Sequence, residues 1–168
     1  MILLPVALTV LSGMAFRVGR SWFGLSGDFG RWMMAVHEGR YLGEPLVPLY
    51  VLCVGLALLA MIGSGLSLLG RSKLRSWHAR LAPLLVAPLL VSAITGISFR
   101  LGKAWFDLPA PAPAPAARWL LKVHQGSYLG KDLRVFYVLL LGLGALALLG
   151  TGLGMTRMGR RRSAGLGG

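Results

Sequence analysis

Long runs of apolar residues alternate along the chain with short segments that carry nearly all of its charge. Four runs contain no charged side chain: Met1–Phe16, Pro45–Gly70, Leu81–Phe99 and Val135–Thr156. The last three hold 26, 19 and 22 residues, and a helix of about 20 residues crosses the hydrocarbon core of a bilayer. The pattern predicts an all-α integral membrane protein with a bundle of four transmembrane helices.

The first run is the shortest, and two interpretations of it are open. Its 16 residues would span about 24 Å as a helix, which suffices if Arg17 and Arg20 snorkel to the membrane surface. A cleaved signal peptide is the alternative, but the run has no basic segment in front of it. We favour a membrane helix because the corresponding run in the second half of the chain is long enough to span.

The two halves of the chain carry the same motifs in the same order. The motifs are G-x-x-F-R-x-G-[RK]-x-W-F, V-H-x-G-x-Y-L-G and Y-V-L, and their copies begin at Gly13 and Gly96, Val36 and Val123, and Tyr50 and Tyr137. The offset is 83 for the first motif and 87 for the other two, and the four extra residues fall in the Pro/Ala run Pro109–Pro115. This order predicts a tandem repeat of one helix–loop–helix unit.

The repeat divides the chain into a first two-helix unit over 1–70, a basic connecting loop over 71–80, a second unit over 81–157 and a basic flexible tail over 158–168. Each unit holds a membrane helix, a polar loop, a short amphipathic helix and a second membrane helix. The units run parallel, so we expect an axis along the membrane normal to relate them. Both V-H-x-G motifs then lie on one side of the membrane.

The mean hydropathy is +0.69 and the net charge is +13. The basic residues lie at the ends of the apolar runs, which indicates contact with lipid and not with nucleic acid. The 71–80 loop and the tail carry basic residues without acids, so we place them and both termini in the cytoplasm. The expected location is a bacterial inner membrane or a thylakoid membrane.

His37 and His124 occupy equivalent positions in the two units. Histidines at the same depth on separate helices can offer two axial nitrogens to one iron, as a haem b requires. Gly39 and Gly126 follow two residues later and would let a flat macrocycle or another backbone come close. The alternative is that each histidine is a polar anchor at the membrane surface.

Arg17 and Arg100 are the second pair of candidate ligand-binding residues. Each follows a glycine by one helical turn, Gly13 and Gly96 respectively, so glycine and arginine share a helix face. A haem over that face would rest on the glycine and direct its propionates to the arginine, whose guanidinium fits carboxylates. Close helix packing with snorkelling arginines explains the same residues without a cofactor.

His78 lies in the basic segment before the third apolar run and has no counterpart in the first unit. It is a possible ligand of a second metal centre, although the chain supplies no symmetry mate for it. We expect it to be an interfacial side chain.

These motifs resemble the PepSY-associated transmembrane helix family. The resemblance rests on Trp77–Pro83 (W-H-A-R-L-A-P), on Val123–Gly126 (V-H-Q-G), and on a Thr-Gly pair near each following helix end, Thr95-Gly96 and Thr151-Gly152. It covers essentially residues 1–157 and is closest to small cyanobacterial-type members without the soluble PepSY domain. The resemblance implies histidine-ligated haem b and transmembrane electron transfer.

A second function class stays open beside the b-type cytochrome. The chain would then be a non-catalytic membrane subunit or assembly factor of a larger complex, for example a photosynthetic one. The histidines would be anchors, or each would bind the magnesium of one chlorophyll. The sequence contains no flavin or nicotinamide motif, so whether the protein is an enzyme is left open.

Overall fold

The computed structural model describes residues 3–67, 75–105 and 115–165, and these ranges are almost entirely helical. The α-helices in them are α1 (Leu3–Ser21), α2 (Gly27–Glu38), α3 (Val47–Ser67), α4 (Arg75–Trp105), α5 (Pro115–His124) and α6 (Leu133–Gly165). Short 3₁₀ turns occupy Arg40–Leu42, Glu44–Leu46 and Ser127–Leu129. The all-α prediction is confirmed.

Four segments are long and apolar enough to cross a membrane: Leu3–Ser21, Glu44–Ser67, Ala82–Gly102 and Leu133–Leu153. Each of these segments overlaps one of the four apolar runs, with ends that differ by a few residues. The first is longer than its apolar run because α1 continues through Arg17 and Arg20 to 19 residues, a length of about 28 Å.

Two segment boundaries differ from the sequence prediction. The predicted loop 71–80 is helical from Arg75 onward, and the predicted flexible tail 158–168 is helical up to Gly165. Residues 71–74 and 166–168 lie outside the described part of the chain. The physical reason is that a charge ends a membrane span without ending a helix, because arginine has a high helix propensity.

Around the bundle, the four long helices are arranged in the order α1, α6, α4, α3. α1 packs against α3 and α6, and α4 also packs against α3 and α6. The short helices α2 and α5 pack against α1 and α4 respectively. α1 and α4 therefore face each other across the bundle axis, each carrying one short helix.

Glycines allow the long helices to approach closely at two crossings. A side chain at Gly55 of α3 would collide with Ile97 of α4, and one at Gly142 of α6 would collide with Met14 of α1. The two crossings are equivalent in the two halves, since Gly142 follows Gly55 by 87 residues and Ile97 follows Met14 by 83. The apolar core beside them is formed by Val6, Val54, Ala57, Ile62, Leu85, Leu89, Leu141 and Ala145.

Helices α2 and α5 end in the same way. The backbone turns left-handed at Gly39, with φ of 74°, and at Gly126, with φ of 65°. Glycine is the usual residue in this conformation because it has no Cβ to clash. The H-x-G motif is thus a helix C-terminus, and it places His37 and His124 in the last turn of each short helix.

Candidate functional site

A cavity of about 240 Å³ lies inside the bundle and is lined by residues from all six helices. Most of its lining is apolar. The exceptions include one histidine, one arginine and one further polar residue from each half of the chain: His37 and His124, Arg17 and Arg100, Glu38 and Gln125. The cavity therefore brings together both predicted histidines and both predicted arginines.

The two imidazole rings are neighbours in the cavity, with centroids 6.3 Å apart and planes inclined by 56°. Nδ1 of His37 lies 2.7 Å from the carbonyl oxygen of Thr9, and Nδ1 of His124 lies 2.8 Å from that of Ser92. A carbonyl only accepts hydrogen bonds, so each Nδ1 carries the proton and donates it. Nε2 of each ring is left unprotonated and able to bind a metal.

Both histidines are neutral near neutral pH. Burial lowers the pKa of His37, although the hydrogen bond to Thr9 and the charge of Glu38 partly oppose the shift. Burial, and then repulsion from His37, lower the pKa of His124 to about 4. A neutral imidazole is the form that coordinates metals.

Glycines on α1 and α4 make room for the imidazole rings. A Cβ built at Gly13 would lie 2.9 Å from Cε1 of His37, and one at Gly96 would lie 2.9 Å from Cε1 of His124. Nε2 of each ring lies farther from that position, at 3.9 and 3.7 Å. These glycines were expected beneath a macrocycle; they lie instead beneath the histidines and hold each ring close to the neighbouring helix.

Gly39 and Gly126 were expected to let a macrocycle or another backbone come close. Neither glycine is among the described residues that line the cavity. A side chain at Gly39 would collide with the ring of Tyr50, and one at Gly126 with the ring of Tyr137. Their contribution is to end α2 and α5 where the histidines are needed, because only a residue without Cβ fits there.

The arginines contact the residue that follows the histidine of the opposite half. Arg17 donates to Oε1 of Gln125 over 3.1 Å, and Arg100 donates to Oε2 of Glu38 over 2.5 Å. Arg17 is only 7% exposed. These two contacts cross the site in equivalent directions and tie the two halves together around the cavity.

The two sides of the site differ in charge. Arg100 and Glu38 form an ion pair, whereas Gln125 offers Arg17 no charge. A third arginine, Arg134 of α6, has a buried Nε without a hydrogen-bond partner in the described part of the chain. The corresponding position in α3 is the apolar Val47.

The histidine pair does not resemble a site for a bare metal ion. Within the described ranges, no group of three or more His, Cys, Asp or Glu side chains is placed to hold one. Cys53 is exposed. His78 falls within α4, but its side chain lies outside the described residues. Two imidazoles at this spacing suit a metal whose remaining ligands come from a macrocycle.

Sequence reasoning did not identify four of the contacting positions: Thr9, Ser92, Glu38 and Gln125. A signal for them was present, because Thr9 and Ser92 are separated by 83 and Glu38 and Gln125 by 87. Each half carries a small polar residue at the equivalent position of its first long helix and a polar residue directly after its histidine. This repetition indicates that both halves contribute the same kinds of residue to one site.

Comparison of the chain with family models, with curated proteins and with solved structures gave no match. The resemblance to the PepSY-associated transmembrane helix family therefore stays a prediction carried by the motifs, and the function has to be argued from the site.

Proposed function

We propose that this protein is a small membrane b-type cytochrome that binds one haem between His37 and His124 and transfers electrons. The proposal places it in a bacterial inner membrane or a thylakoid membrane as a multi-pass protein. It takes the chain as two parallel copies of one unit, and one histidine from each copy would hold the iron.

The spacing of the two imidazoles carries this proposal. A nitrogen–metal bond is about 2 Å long, and the centre of the imidazole lies about 1 Å farther from the metal. Two imidazoles on opposite sides of one iron therefore have centres about 6 Å apart, close to the 6.3 Å between His37 and His124. The angle between the ring planes is compatible as well, because each ring can rotate about its own metal–nitrogen bond.

The hydrogen bonds of the histidines support the same assignment. Ligating histidines usually donate their second ring nitrogen to a carbonyl or carboxylate, which fixes the tautomer and the ring orientation. Thr9 and Ser92 supply a main-chain carbonyl for each ring. The chain thus orients both imidazoles before any ligand arrives, which reduces the cost of binding.

The remaining lining suits a haem as well. Apolar residues from α3, α4 and α6 surround the cavity and would exclude water from the macrocycle, while Arg17 lies where a carboxylate could be received. A haem b bound by two histidines supplies one-electron transfer between ferric and ferrous iron. The protein residues hold both nitrogens in place and keep solvent from the ring.

The outer surface of the bundle supports a membrane location. Leucines on all four long helices face outward, among them Leu4, Leu56, Leu84 and Leu140, which are 52 to 67% exposed. Trp32 of α2 and Trp119 of α5 are also highly exposed. Tryptophan is typical of the membrane–water interface, so we infer that both short helices lie at one membrane surface, the non-cytoplasmic one.

The subunit or assembly-factor alternative receives less support from the site. Anchoring histidines would project toward lipid headgroups, whereas His37 and His124 face one internal cavity. Two chlorophylls, each bound by one histidine, would require two stacked macrocycles between the rings. A centroid distance of 6.3 Å leaves room for one.

The experiment that tests the proposal is an absorption spectrum of the purified protein and its histidine variants. We expect a sharp α band after reduction, lost or altered to a five-coordinate spectrum in His37→Ala and in His124→Ala. His78→Ala is the matched control and should retain the band. A chlorophyll band, absence of pigment, or loss of pigment only in His78→Ala would contradict the proposal.

A further inference from the structure

The charges around the site are unevenly distributed between its two sides. On one side Arg100 is neutralised by Glu38, and both side chains are largely buried at 12% and 14% exposure. Glu38 also accepts from Arg40 over 2.6 Å. The positive charge of Arg100 therefore has its counterion within the protein.

The other side has no such counterion among the described residues. Arg17 contacts the uncharged Gln125, and no carboxylate in the described ranges pairs with Arg17 or Arg134. These two arginines are close enough for their charges to repel each other. Each has a buried Nε without a hydrogen-bond partner in the described part of the chain, and so does Arg100, so the two sides differ in the missing carboxylate and not in the unpaired Nε.

Burying Arg17 beside a second, half-buried arginine without an anion is costly, because its guanidinium loses hydration and gains only the contact with the uncharged Gln125. The arrangement is favourable once an anion enters between them and accepts from their unused N–H groups. Arg17 lines the cavity that holds both histidines, whereas Arg134 is not among its lining residues. An anionic group on an occupant of the cavity would therefore reach Arg17 first, with Arg134 behind it.

We propose that Arg17 and Arg134 together bind one propionate carboxylate of the haem, whereas Arg100 is engaged by Glu38 and contributes little to haem binding. This inference rests on the proposed function. It makes the haem pocket electrostatically asymmetric, although the two histidines and their supporting carbonyls are equivalent. The asymmetry arises from two substitutions between the halves, Gln125 for Glu38 and Arg134 for Val47.

The test compares the affinity for haem with free carboxylates to the affinity for haem whose carboxylates are blocked. Full-length protein is depleted of haem in detergent and titrated with haemin or with haemin dimethyl ester, which lacks both carboxylates. We expect the unmodified protein to bind haemin more tightly than the ester. Arg17→Gln and Arg134→Gln should each reduce the haemin affinity about tenfold to hundredfold, the range for losing a charge-assisted hydrogen bond, and leave the ester affinity unchanged.

Two controls are matched to these variants. The double variant Glu38→Gln/Arg100→Gln removes an arginine together with its counterion and should keep the preference for haemin. Arg118→Gln removes one exposed positive charge from α5 and should keep it too. Unchanged ester binding in Arg17→Gln shows that the variant is folded.

The outcomes distinguish this inference from the proposed function. If the unmodified protein binds neither compound, the haem assignment fails and this inference fails with it. If it binds both but Arg17→Gln keeps the preference, or the double variant loses it equally, only the assignment of the carboxylate is overturned. If Arg17→Gln keeps the preference and loses co-purifying phospholipid, the arginines bind a lipid phosphate instead, which also overturns it.

Discussion

At the scale of single residues, the two histidines depend on main-chain atoms and on glycines more than on polar side chains. The acceptors for Nδ1 are the carbonyl oxygens of Thr9 and Ser92. Replacing those side chains leaves both carbonyl acceptors in place, although Ser92→Ala would also remove the hydroxyl that lies 3.3 Å from Nδ1 of His124. The residues least tolerant of replacement are Gly13 and Gly96, because a Cβ at either position would lie 2.9 Å from the histidine ring.

Adding one methyl group beneath a histidine should therefore disturb the site. In Gly13→Ala the new Cβ would lie 2.9 Å from Cε1 of His37, so the ring must move away from Thr9. We expect reduced haem content and a weakened low-spin spectrum. Gly63→Ala is the control, since no heavy atom lies within 4 Å of a Cβ at Gly63. Equal haem content in both variants would refute the role given to Gly13.

The neutral state of the histidines predicts how the haem-free protein responds to acid. The folded-state pKa of His124 is about 4, below the ordinary value of 6.5, so the unfolded chain binds more protons between these values. Stability must then decrease as the pH falls from about 6.5 toward 4. Thermal unfolding of the haem-free protein should show this decrease, and His124→Gln should show a smaller one. An identical pH dependence in both proteins would argue against a buried neutral His124.

At the scale of elements, the ends of α2 and α5 determine where the histidines lie. Gly126 combines a left-handed φ of 65° with close contact to the ring of Tyr137. Gly130 has φ of 88° and ψ of 176°, a conformation almost exclusive to glycine, but no contact at its Cβ position. A side chain at Gly130 would therefore add backbone strain alone, whereas one at Gly126 would add a steric contact with Tyr137.

Gly130→Ala should cost about 1–3 kcal/mol, because a residue with a Cβ rarely adopts this backbone conformation. Gly126→Ala combines the penalty of a left-handed conformation with a collision with Tyr137, and it should destabilise the fold as well. It should also weaken haem binding, since His124 is the last residue of α5. Thermal unfolding and haem titration measure both effects. If Gly130→Ala weakened haem binding as much as Gly126→Ala, the contact with Tyr137 would not matter as described.

The elements also show what the sequence could predict. The uncharged runs located all four long helices, because the length of a hydrophobic run can be read from neighbouring residues alone. The duplicated motifs identified both histidines, because a repeat can also be read directly from the order of residues. The partners Thr9 and Ser92 could not be assigned, because the contact depends on how α2 lies on α1 and how α5 lies on α4. The pairing of Arg100 with Glu38 likewise depends on contacts between the halves.

At the scale of the whole molecule, equivalent contacts recur throughout the bundle. Arg17 with Gln125 corresponds to Arg100 with Glu38, and the edge-to-face pair Tyr41–Tyr50 corresponds to Tyr128–Tyr137. These correspondences support the proposal that two parallel units are related by a two-fold axis along the membrane normal. The site would then lie on that axis.

This arrangement makes a prediction about sidedness. With both termini in the cytoplasm, the segment between α4 and α5 should be on the outside. Single cysteines placed within residues 109–114 in a Cys53→Ala background should react with a membrane-impermeant reagent added to intact cells. Cysteines placed at 71–74 should react only after the membrane is opened. The reverse pattern would overturn the assigned orientation.

The central claim is that one iron is shared by His37 and His124. The most direct test is electron paramagnetic resonance of the oxidised, purified protein, combined with a count of haem per chain. We predict one haem per chain with a low-spin ferric signal, which becomes high-spin or disappears when either His37 or His124 is replaced by Ala. A low-spin signal that survives both single replacements, or a protein that contains no haem, would contradict the claim.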